Sequence, residues 1–90
     1  MKRYIIERDL PGVGSLDAAA LAGAAAKSNA ALAQLGGRVQ WLESFVAGDK
    51  TFCVYLADSV GAIQEHARLS GFPATKVTEI SRTIDPSTAG

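Results

Sequence analysis

Ninety residues are room for one domain and one modest core, with only about 60–65% of the unfolded chain's surface buried on folding. Nine basic residues balance nine acidic ones, and no basic run is present, which argues against a nucleic-acid or anionic-membrane surface. The single cysteine, Cys53, excludes an intrachain disulfide and suits a reducing compartment.

The first strand is expected over Lys2–Leu10, with Tyr4 and Ile6 on one side and Ile5, Glu7 and Asp9 on the other. Pro11-Gly12-Val13-Gly14 breaks it, and Ser15 is placed to cap a helix with Asp17 near its positive end. Leu21, Ala25, Ser28, Leu32 and Leu35 form one stripe of that helix, which Gly36-Gly37 stops. Arg38–Ala47 and Thr51–Ala57 read as a hairpin joined by the three residues Gly48, Asp49 and Lys50. A second helix, capped by Asp58 or Ser59, runs to Ser70 with Val60, Ile63 and Ala67 inward, and Gly71 and Pro73 end it. The fourth strand spans Lys76 to about Ile84. One domain over residues 1–84 and a flexible tail over 85–90 result.

The order β-α-β-β-α-β predicts an α+β fold, a ferredoxin-like antiparallel sheet with two helices on one face. A three-residue hairpin loop pairs Val46 with Phe52, Ser44 with Val54 and Leu42 with Leu56 beneath the helices. The opposite, open face then carries Trp41, Glu43 and Phe45 with Cys53, Tyr55, Glu7 and Ile5. Such an aromatic surface predicts a homodimer, with Trp41, Phe45 and Tyr55 at an interface or lining a cleft.

Four polar residues are candidates for metal. Cys53 is a soft ligand or reactive thiol beside Glu7 and Glu43, or simply a small packed residue. His66, on the helix side, is a ligand or a half-buried hydrogen-bonded residue, out of reach of Cys53 within one subunit. Glu7 and Glu43 form an acid–base pair, or Glu7 pairs with Arg8, Arg38 or Lys50. Arg8 is a lone candidate for holding an anion. No phosphate-binding glycine loop, HExxH or GxSxG motif is present, so no catalytic residue is assigned.

Tyr4-Ile5-Ile6-Glu7-Arg8-Asp9, Trp41–Val46, Asp49-Lys50-Thr51-Phe52-Cys53-Val54-Tyr55 and Ile63-Gln64-Glu65-His66-Ala67 with Gly71-Phe72-Pro73-Ala74 together resemble a family. It is that of small bacterial ferredoxin-like proteins of unknown function, some described as nickel-binding. The resemblance covers Lys2 to about Ile80 and implies a dimeric ferredoxin-like fold that binds Ni²⁺. Glu7, Cys53, Tyr55 and His66 match its recurrent polar positions, whereas Val60-Gly61 stands where acidic residues are expected. Met1–Arg8 has no apolar stretch of signal-peptide length, and Asp17, Lys27, Ser28 and Asn29 break up the alanine-rich helix as a span. The expectation is a cytoplasmic Ni²⁺-binding protein for sequestration or homeostasis. The alternative is a dimeric α+β-barrel enzyme, or a ligand-binding module, handling a small organic molecule at the sheet face.

Overall fold

The computed structural model describes residues 1–90. Four strands, β1 (Lys2–Asp9), β2 (Val39–Ala47), β3 (Lys50–Ala57) and β4 (Lys76–Ile80), form one antiparallel sheet in the order β2-β3-β1-β4. Helices α1 (Ala18–Gln34) and α2 (Val60–Ser70) fill the two crossovers. Both pack on the same side, the arrangement that the split β-α-β pattern dictates.

Local chemistry fixes the helix ends. Asp17, two residues beyond the expected Ser15, caps α1 by accepting from the Ala20 amide at 2.8 Å. Ser15 instead closes a 3₁₀ turn over Val13–Ser15, because the Gly14 amide is tied to the Gly48 carbonyl at 2.8 Å. A Cβ at Gly14 would lie 2.7 Å from that carbonyl oxygen, so the loop docks against the hairpin turn only with glycine there. Ser59 caps α2 through the Ala62 amide, and Gly71 ends it at φ 77°. β4 stops at Ile80, short of Ile84, because Ile80 already pairs with Arg3 near the start of β1. The residues expected as a tail include one 3₁₀ turn, Pro86–Ala89, capped by Asp85.

The hairpin departs from expectation. Ala47 pairs with Lys50, leaving a two-residue turn of Gly48 and Asp49. Its one positive φ, 61°, falls on Gly48, the first turn residue, as a type II′ turn requires. Val46 therefore faces Thr51, Ser44 faces Cys53 and Phe45 faces Phe52. A bulge between Trp41 and Glu43 then sets Trp41 opposite Tyr55. Because of that extra residue, Trp41 and Glu43 lie on opposite faces although they are two apart in sequence.

The face assignment of β3 is consequently inverted. Thr51, Cys53, Tyr55 and Ala57 point toward the helices and are buried, whereas Phe52, Val54 and Leu56 face outward. The expected placement of Trp41, Cys53 and Tyr55 on the open face is thus corrected; Ile5, Glu7, Glu43 and Phe45 do lie there. The core joins Tyr4, Ile6, Leu35, Val39, Tyr55 and Ile63, with Trp41 packed at its border. It sits under α2 and the C-terminal half of α1. No helix is long and apolar enough to cross a membrane.

Candidate functional site

The N-terminal half of α1 leaves space where its C-terminal half fills it. Leu21, Ala24 and Ala25 reach the sheet with mostly small side chains, opposite Ser44 and Val46 of β2 and Thr51 and Cys53 of β3. The result is a cavity of about 290 Å³, with 10 of its 14 lining residues hydrophobic. Arg8 of β1, Phe72 of the α2–β4 loop, Trp41 and Tyr55 complete its walls.

Arg8 follows Tyr4 and Ile6 on the inward side of β1 and is only 2% exposed. Its Nη1 donates to the carbonyls of Pro73 at 2.9 Å and Phe72 at 3.4 Å. Its guanidinium carbon lies 5.9 Å from the Tyr55 ring centroid, within cation–π range. Its Nη2 has no hydrogen-bond partner, and no carboxylate forms an ion pair with it. A guanidinium stays charged at any physiological pH, so this is a buried positive charge without a counter-ion.

An aromatic row runs from the cavity into the core. Tyr55 stacks on Trp41 with centroids 6.5 Å apart and meets His66 at 5.3 Å on its other side. Burial raises the Tyr55 phenol above its ordinary value, with Ser28 and Arg8 pulling the other way. Burial holds the His66 imidazole below its ordinary value, and the Arg8 charge adds to the effect. His66 Nε2 shares a hydrogen bond with Ser28 Oγ at 3.2 Å, and its Nδ1 has no partner. The indole of Trp41 donates to Ser44 Oγ at 2.8 Å, a contact that the bulge permits by placing both residues inward. Cys53 Sγ is 3.5 Å from Thr51 Oγ1.

The four residues expected around a metal do not converge. Glu7 and Glu43 share the outer face, but β3 lies between their strands, which puts them about 10 Å apart across the sheet. Of the three cations considered for Glu7, it is Lys50 that pairs with it, at 3.6 Å, while also binding Asp9 at 2.8 Å. Cys53 and His66 lie on the same, helix-covered side, contrary to the expected separation, yet no third donor joins them. Nowhere do three His, Cys, Asp or Glu side chains gather closely enough to hold an ion. Sequence reasoning left Ser28, Ser44 and Thr51 out of the site. Arg8 was named there only as a lone candidate for holding an anion, and the structure places it inward after Tyr4 and Ile6.

A family model described as nickel responsive protein SCO4226-like matches residues 4–80. The chain belongs to this family. The crystal structure of SCO4226 from Streptomyces coelicolor A3(2) is similar in fold, with a TM-score of 0.74 at 16% identity. The alignment covers 91% of this chain and 99% of SCO4226. No curated protein matches the chain. The SCO4226-like family's description concerns nickel, but the donor set of one chain does not fit such an ion.

Proposed function

We propose that the protein is a ligand-binding module that takes a small, largely apolar organic molecule into the cavity between α1 and the inner face of the sheet. The cavity carries this reading. Its volume of about 290 Å³ falls just below the roughly 300–1,000 Å³ usual for ligand sites, which suits a small ligand. An apolar wall with a few convergent polar groups is the ordinary composition of such a site. The ligand's body packs against Leu21, Ala25, Trp41 and Phe72, with polar contacts offered along one wall.

Trp41 is the only tryptophan and lines the cavity, so its emission reports occupancy directly. Titration with a panel of small aromatic and aliphatic compounds is expected to give a saturable change tighter than about 0.1 mM for at least one class. A panel without any saturable response, on protein shown to be folded, contradicts the reading.

The family's description favours a second reading, Ni²⁺ binding. One chain lacks three grouped donors, so the site would draw donors from a second copy paired through the outer face, where Glu7 and Glu43 lie. Calorimetric titration of the metal-free protein with Ni²⁺ tests it. The second reading expects saturable heat that disappears in the E7Q/E43Q double variant; no heat removes it.

A further inference from the structure

Resting on the ligand-binding reading, we propose that the ligand is a monocarboxylic acid with an apolar body, and that Arg8 is the residue that anchors its carboxylate. Three of the other polar side chains on the cavity wall are already engaged within the protein, and Tyr55 offers only a neutral phenol. Ser28 is occupied with His66, Ser44 accepts from Trp41, and Thr51 is in contact with Cys53. Arg8 alone combines a fixed charge, near-complete burial and a nitrogen with no partner.

Its two recorded bonds go to neutral backbone carbonyls, which orient the guanidinium without compensating its charge. The nearest acids along β1, Glu7 and Asp9, alternate to the outer face and are held there by Lys50. The charge inside is therefore left for a ligand to neutralise. Arg8 already lines the cavity, so a carboxylate seated there lies beside its guanidinium. A charged guanidinium nitrogen without a partner suits a carboxylate. A phosphate calls for a cluster of donors, and no second cation lines this cavity.

The test compares 4-phenylbutyrate with its neutral counterpart 4-phenylbutanol, using Trp41 emission on the unmodified protein and on R8Q and R8K. The acid is expected to bind about 10- to 100-fold more tightly than the alcohol, as hydrogen bonds to a charged group imply. R8Q is expected to bring the acid and the alcohol to similar affinities, whatever it does to both together; R8K retains part of the preference. Equal affinities for acid and alcohol on the unmodified protein overturn the carboxylate assignment while the ligand-binding reading stands. If neither compound nor any of the wider panel binds, both fall together. Should R8Q fail to fold, the acid-to-alcohol ratio on the unmodified protein decides alone.

Discussion

Tyr55→Ala is expected to destabilise the protein by about 3–5 kcal/mol, the cost of removing a large buried aromatic ring. A 90-residue domain has roughly 5–13 kcal/mol in total, so much of its margin disappears. The ring is 3% exposed, stacks on Trp41, meets His66 and lies under the Arg8 guanidinium. Its loss opens a void at the junction of core and cavity that β3 cannot close without moving the sheet. Urea unfolding followed by circular dichroism measures the effect, and Tyr55→Phe, which keeps the ring, stays near the parent. A loss below about 1 kcal/mol is the value for an outward-facing residue, and it would restore the three-residue hairpin loop.

Acid is expected to destabilise the fold through His66. Its imidazole is 1% exposed, and burial and the Arg8 charge both disfavour its protonated form. The native pKa therefore lies below the unfolded value of 6.5. As pH falls through 6.5 the unfolded chain takes up the proton first, and stability declines until the depressed native value is passed. Above that window both states are neutral at this position and the contribution is flat. The groups packed around the ring are Ser28 from α1, Arg8 from β1 and Tyr55 from β3; none of them is an acid that would reverse the sign. Thermal melts from pH 8 to 5 should show a steeper fall in Tm for the parent than for H66Q. Parallel curves would place the titration elsewhere.

Much of the architecture was legible in the residues because its signals are local. Ser59 and Gly71 bracket α2 and Gly36-Gly37 follows α1, whereas of the expected stripes Ser28, Leu35 and Ile63 are buried but Leu21 and Val60 are exposed. Which face of β3 turns inward was not legible, since both of its alternating sets are apolar. Phe52, Val54 and Leu56 are the more hydrophobic set, yet they lie outside. The choice was made by one residue of turn length and one bulge, neither of which leaves a hydrophobicity signal. The cavity was hidden for a related reason. It arises from what Ala24 and Ala25 do not fill, and an alanine-rich helix looks the same whether it packs tightly or stands off. Arg8 could be placed inward by alternation alone, but its missing counter-ion emerges only when β1 is seen between its neighbours.

The location of the ligand decides the account. In a ¹⁵N heteronuclear correlation spectrum of the protein titrated with 4-phenylbutyrate, shifts should concentrate at the Trp41 indole and at the amides of Ser28, Cys53 and Tyr55, around the cavity under α1. Perturbations gathered on Glu7, Phe45 and Phe52 of the outer face, with the cavity residues unmoved, would contradict it.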